Sequence, residues 1–285
     1  MENASEAHVE IEGINYYTLL ETPPSTITTT TNNPPPVVLL VHALMSNHHM
    51  WDATVRTLTT AGYTTLRYDH AGHHHTPPPH DPNRTYTLDD LTRHAHQLVK
   101  TRTNSPNLHA VIGCSIGGVI ALRYATLFPK DLTRIISIAA PGLDPPPNAK
   151  TLWTDRIKQF QQDLDSGTDT LAHATIARWI PGDDPLDPPI RAQALAHVKT
   201  CTLAGYRVLA DAITSYAYES EAAMFPREVK CLIVAGAEDA AAPVERLRDV
   251  AGRIEGAGFV VMEAGHLPPM QREGEFGEVA VEFLR

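Results

Sequence analysis

VVLLVHA (37–43) is a continuous apolar run with no polar alternation. A strand needs apolar side chains on both faces only if both faces are covered, so this run predicts a strand inside a parallel sheet. TTLRYDH (64–70), LHAVIG (108–113), TRIISIAA (133–140), KCLIVAGAED (230–239) and FVVMEAG (259–265) read as further strands. Helical patterns separate them. MWDATVRTLTTAG stops at Gly62, and TLDDLTRHAHQLVKTR (87–102) starts on a capping threonine, Thr87, with acids in its first turn. IGGVIALRYATLF, PVERLRDVAGRI and EFGEVAVEFL complete the series. Alternation of this kind predicts a mostly parallel central sheet flanked by helices, an α/β fold. Near the N-terminus, HVEIEGINYYTLL (8–20) alternates as a strand or hairpin would.

The regularity breaks over residues 141–225. Pro-rich corners, PGLDPPP and PGDDPLDPP, separate the helical stretches TLWTDRIKQFQQDL and LAGYRVLADAITSYA. We read a helical insertion over one edge of the sheet, with a core of residues 1–142 and 225–285 and a cap of residues 143–224. TPPSTITTTTNNPPP (22–36) is Pro/Thr-rich and of low complexity, and is expected to be a surface loop.

Bulk properties exclude several functions. The formal charge of −10 and the lack of a Lys/Arg-rich block oppose nucleic-acid or anionic-membrane binding. Three cysteines, Cys114, Cys201 and Cys231, make no disulfide framework. The start MENASEAHVEIEG lacks the basic and apolar regions of a secretory signal, and VVLLVHALM is too short for a membrane span. A cytoplasmic protein without membrane insertion is expected.

The chemistry concentrates in AVIGCSIGGVIALRYA (110–125). Gly113-Cys114-Ser115-Ile116-Gly117 places G-x-S-x-G where a strand becomes a helix. Glycines allow close backbone approach at a sharp turn, while the serine takes strained dihedrals and lifts its Oγ above the sheet. The Ile116 N–H, at a helix N-terminus, can bind a developing oxyanion. A nucleophilic serine needs a base, and in this architecture the chain order is serine, acid, histidine. His266 follows the last strand, where a loop can return to Ser115. The preceding strand ends in Glu238 and Asp239. Cys114 reads as a small core hydrophobe.

With these residues in view the chain resembles the α/β-hydrolase fold superfamily, in its small esterase and enol-lactonase-like branch. Gly236-Ala237-Glu238-Asp239 with Pro243 matches the superfamily's G-x-x-D…P pattern and so assigns the acid to Asp239, with Asp144 in APGLDPPP as the other position some members use. VVLLVHALMSNHHMWDATVRTL resembles the strand that ends in His-Gly. Here His42-Ala43 replaces that pair, and the resemblance gives the second oxyanion N–H to Leu44. RYDHAGHHHT matches a structural segment of the family at Asp69, Gly72 and His73 and departs from it at Ala71, His74 and Thr76. The resemblance spans the chain apart from residues 1–7 and 22–36. It implies an α/β-hydrolase fold with a helical cap and a serine hydrolase that cleaves an ester, lactone or thioester through a Ser115 acyl-enzyme.

Two alternatives share the fold. One is an acyltransferase or lactone-forming thioesterase using the same triad, for which an acyl carrier protein would be a partner. The other is a non-catalytic relative that binds a small ligand. Ala43, Trp153 and Trp179 are expected to touch the substrate, although Trp153, Phe160, Trp179 and Ile180 can equally pack the insertion onto the sheet. No cofactor is expected, since GCSIGG lacks the spacing and acid of a dinucleotide site. No metal is expected either. Adjacent histidines in the HHH run cannot all face one ion, His94 and His96 lie on different helix faces, and no H-E-x-x-H occurs.

Overall fold

Glu12 and Gly13 both take left-handed dihedrals, φ 49° and 85°, and this turns the chain back on itself. HVEIEGINYYTLL is therefore a hairpin, β1 (Ala4–Ile11) antiparallel to β2 (Ile14–Glu21). The computed structural model describes residues 3–24, 34–182 and 187–285, so most of the expected 22–36 loop, residues 25–33, lies outside the described residues. The apolar runs form β3 (Val37–Val41), β4 (Thr64–Tyr68), β5 (Leu108–Cys114), β6 (Leu132–Ile138), β7 (Lys230–Gly236) and β8 (Gly258–Met262). The sheet order is β1-β2-β4-β3-β5-β6-β7-β8. β2 pairs antiparallel with β4, and every pairing from β4 to β8 is parallel. Val38 to Val41 are fully buried, as a strand covered on both faces requires.

The crossover helices are α1 (Asp52–Thr60), α2 (Leu88–Thr103) and α3 (Ile116–Leu127), and the C-terminal part adds α8 (Val244–Arg253), α9 (Pro268–Gln271) and α10 (Glu273–Leu284). Thr87 caps α2 through a reciprocal pair with Asp90. Among the described residues four α-helices and a 3₁₀ turn (Glu219–Met224) separate β6 from β7: α4 (Ala149–Ser166), α5 (Thr170–Trp179), α6 (Asp187–Val198) and α7 (Leu203–Ser215). α7 rests on the loop after β4 through two glycines. A Cβ on Gly72 would lie 2.4 Å from the Gly205 Cα, and one on Gly205 would lie 2.3 Å from the Ala71 carbonyl. Trp153 and Phe160 of α4 pack around Tyr206 of α7. No helix among the described residues is long and apolar enough to cross a membrane.

Three histidines lie buried where β3 and β4 end: His42, His70 and His73. The bonds they make fix their protonation state. His42 Nδ1 donates to the Ala43 carbonyl (2.8 Å) and its Nε2 accepts from the His70 N–H (3.0 Å). An imidazole that accepts is neutral. His73 does the same, donating to the Ala71 carbonyl and accepting from the Met45 N–H at 3.1 Å. Burial, aided by the neighbouring imidazoles, pushes His42 well below its ordinary value and takes His70 down to about 3.

A folded-state value below the unfolded one means the unfolded chain binds the extra protons. The stability these histidines contribute is therefore complete above about pH 6.5 and is lost as pH falls toward the folded values. Burial takes His73 down as well, to about 4, and three protons give a slope of up to about 4.1 kcal/mol per pH unit. Urea unfolding between pH 7 and 4.5 is expected to show it, and His70→Gln should flatten the slope by about a third. A stability independent of pH between 6.5 and 5 would contradict this account.

Candidate active site

β5 ends at Cys114, α3 begins at Ile116, and Ser115 between them sits at φ 57°, ψ −118°. A non-glycine residue there is strained and is held only because its surroundings fix it. Its N–H donates to the Ile138 carbonyl at 2.8 Å. The flanking glycines are required by contact rather than by dihedral. A Cβ on Gly113 would lie 1.9 Å from the Gly117 carbonyl oxygen, and one on Gly117 would lie 2.1 Å from that of Val41. Both neighbours, Cys114 and Ile116, are buried, while Ser115 is half-exposed. Ile116 is the first residue of α3, so its N–H has no carbonyl one turn earlier in the helix.

The ends of β7 and β8 converge just as tightly. A Cβ on Gly236 would lie 1.9 Å from the Gly265 carbonyl oxygen. This brings the next segments together, and His266 Nδ1 lies 2.7 Å from Asp239 Oδ2. The other Asp239 oxygen accepts the N–H groups of Ala241 (2.8 Å) and Ala242 (3.1 Å). Burial pushes the Asp239 carboxyl up, but the His266 charge and hydrogen bond and the two amides outweigh it, leaving it below the ordinary carboxylate value. An ionised carboxylate only accepts, so Nδ1 carries the proton and Nε2 is left as the base. His266 is held from outside too. Its N–H donates to the Trp179 carbonyl at 2.7 Å, and the Trp179 ring stacks on its own at 5.8 Å. Glu238 is exposed. Asp144 accepts from the N–H groups of Tyr218 and Glu219, a turn-closing role away from His266.

Ser115 and His266 line one cavity of about 370 Å³, and Leu44, Trp153 and Trp179 share its wall. That is within the size range of small-molecule sites. Ala43, expected to touch substrate, is fully buried and packs in the core instead. Its carbonyl takes the His42 Nδ1–H and the Ser46 N–H, closing a turn that leaves Leu44 and Met45 on the cavity side. Sequence reasoning missed Arg156 and Arg178, which also line the cavity. Among the described residues neither forms an ion pair. Arg156 lies over the Trp153 ring at 4.9 Å. Burial, with the Arg156 charge beside it, lowers Arg178 to about 10. A signal existed, for Arg156 is one helical turn from Trp153 and Arg178 adjoins Trp179.

A family model described as alpha/beta hydrolase fold matches residues 36–181, and the chain belongs to that family. The fold agrees with solved structures along nearly its whole length. The enol-lactonase from Burkholderia xenovorans LB400 superposes with a TM-score of 0.84 at 23% identity, covering 98% of this chain and 99% of that one. A thermophilic esterase from Thermogutta terrifontis gives 0.81 at 19% identity over 99% and 98% of the two chains. The esterase from Exiguobacterium antarcticum gives 0.81 at 18% identity over 97% and 98%. No curated protein matches the sequence.

The turn itself supplies a test. Gly117→Ala must push α3 away from β3, and such overpacking is expected to cost on the order of 2 kcal/mol or more. Equilibrium urea unfolding checks it. An unchanged midpoint would mean that the close approach does not hold the turn.

Proposed function

We propose that the protein is a serine hydrolase acting on an ester, lactone or thioester, with residues 143–224 as a cap over the site. The observation that carries this reading is the buried Asp239–His266 pair sharing a cavity with a strained, half-exposed Ser115. In this reading His266 Nε2 takes the Ser115 proton as Oγ attacks the acyl carbon. The N–H groups of Ile116 and Leu44 receive the negative charge on the acyl oxygen. His266 returns the proton to the leaving group, and water attacks the acyl-enzyme by the same route in reverse. Asp239 keeps Nδ1–H in place and stabilises the imidazolium. The named neighbours, an enol-lactonase and esterases, agree with this class of substrate.

The cavity narrows the class further. Trp153, Trp179 and Leu152 offer apolar surface to an acyl chain, while Arg156 and Arg178 offer two charges with no carboxylate to meet them among the described residues. Half-buried guanidinium groups facing a cavity suit a substrate that brings its own anion. We therefore assign a substrate with an apolar acyl portion and a carboxylate or similar anionic group.

A fluorophosphonate probe should label the protein at Ser115, and Ser115→Ala should abolish labelling and lower kcat by about 10⁴-fold or more. Asp239→Asn should lose on the order of 10³- to 10⁴-fold, and Glu238→Gln little. Wild-type turnover in Ser115→Ala would end the proposal. Arg178→Ala should raise KM at least about tenfold for a carboxylate-bearing ester and spare a neutral ester of equal length. Equal losses on both would make Arg178 a packing residue.

A further inference from the structure

Four histidines that hydrolysis leaves unused meet where α6 approaches the core. His48 and His49 open a single 3₁₀ turn after β3 (His48–Trp51), and His74 comes from the loop after β4. One ring nitrogen from each of these three lies within 4.8 Å of the other two. The HHH run itself scatters. His73 turns inward to the Met45 N–H, and the His75 ring lies tilted against that of His74 at 3.8 Å. Only His74 joins His48 and His49.

The surroundings prepare these rings for a cation. His48 Nδ1 lies 3.0 Å from both Asp69 oxygens, and His49 Nδ1 lies 3.1 Å from Asp52 Oδ2. Carboxylates only accept, so each Nδ1 is the donor and each Nε2 keeps the free lone pair. A histidine whose second nitrogen donates to a carboxylate is the usual setting of a metal ligand. Arg67 shares Asp52 and also donates to the His48 carbonyl, fixing the base of the cluster. His74 Nε2 is buried with no protein partner. On the opposite side His197 of α6, only 7% exposed, stacks near His49 at 6.3 Å with its Nδ1 also buried and unpartnered. Stacking alone would leave both of these nitrogens without a bond.

We propose that His48, His49 and His74 bind one divalent first-row transition ion of the zinc type, with His197 completing the site from α6. Imidazole nitrogens suit zinc and its neighbours, whereas magnesium and calcium take oxygen ligands. Tetrahedral zinc at 2.0–2.1 Å needs nitrogens about 3.3 Å apart, so the rings close by about 1.5 Å at most. His49 and His74, the two that would move, are only half-buried. The site joins the core to α6 and does not involve Ser115.

Chelator-treated protein titrated with Zn²⁺ in a calorimeter is expected to bind one equivalent, and Co²⁺ should give the intense visible bands of tetrahedral coordination. His49→Gln and His74→Gln should each weaken Zn²⁺ binding about 100-fold, and His197→Gln about tenfold. His173→Ala, at an exposed histidine of α5, and Ser115→Ala should bind as the wild type does. No stoichiometric binding, or wild-type affinity in both the His49→Gln and His74→Gln variants, would overturn the proposal. Wild-type affinity in His197→Gln would remove α6 from the site.

Discussion

The whole arrangement depends on backbone touching backbone around Ser115. β3, β5 and the start of α3 meet so closely that no side chain fits at Gly113 or Gly117. That contact is what holds Ser115 at a positive φ, because a residue with a Cβ reaches such dihedrals only where its neighbours leave it no alternative. The strain is useful in one respect. It takes the serine off the line of both strand and helix and leaves it facing the cavity, while Cys114 and Ile116 on either side stay in the core.

A second close contact, between Gly236 and Gly265, does the same for the other half of the site. It draws together the ends of two parallel strands whose following residues would otherwise diverge. Asp239 and His266, separated by 27 positions in the chain, then bond at 2.7 Å. The carboxylate is buried, which alone would favour its neutral form, yet two amides and the imidazole outweigh burial. Both halves thus use backbone glycine contacts to place the side chains that share the cavity.

What the sequence made legible follows from periodicity. Continuous apolar runs identify β3 to β7, and the change of period at Ser115 marks the turn, so the α/β-hydrolase architecture and the serine, acid, histidine order are readable locally. The hairpin of β1 and β2 was not separable from one long strand, since only the positive φ at Glu12 and Gly13 decides it. The side on which Ala43 lies was not legible, because a residue at the end of a strand can face either way, and the turn closed by its carbonyl places it in the core. The unpaired arginines and the histidine cluster escaped for another reason. Arg156 and Arg178 come from different helices, and His48, His49, His74 and His197 from three separate segments. No spacing rule sees groups that only tertiary packing brings together. The HHH run was set aside because adjacent histidines cannot all face one ion, and in the fold only one of its three members, His74, reaches the cluster.

Two of the places where the helices between β6 and β7 are fastened to the core differ in kind. At Gly72 and Gly205 the join is steric, two backbones in contact with no room for a side chain. At Trp179 it is polar and stacked, with the carbonyl accepting the His266 N–H and the ring lying against the imidazole. α5 is therefore tied by a hydrogen bond to the backbone of His266. Gly265 reinforces this, since a Cβ there would lie 2.2 Å from the same Trp179 carbonyl oxygen. The inserted helices are in this sense part of the histidine's own support. Their inner face supplies Trp153, Arg156 and Arg178 to the cavity wall, so the elements that orient His266 are also the ones that shape what can reach Ser115.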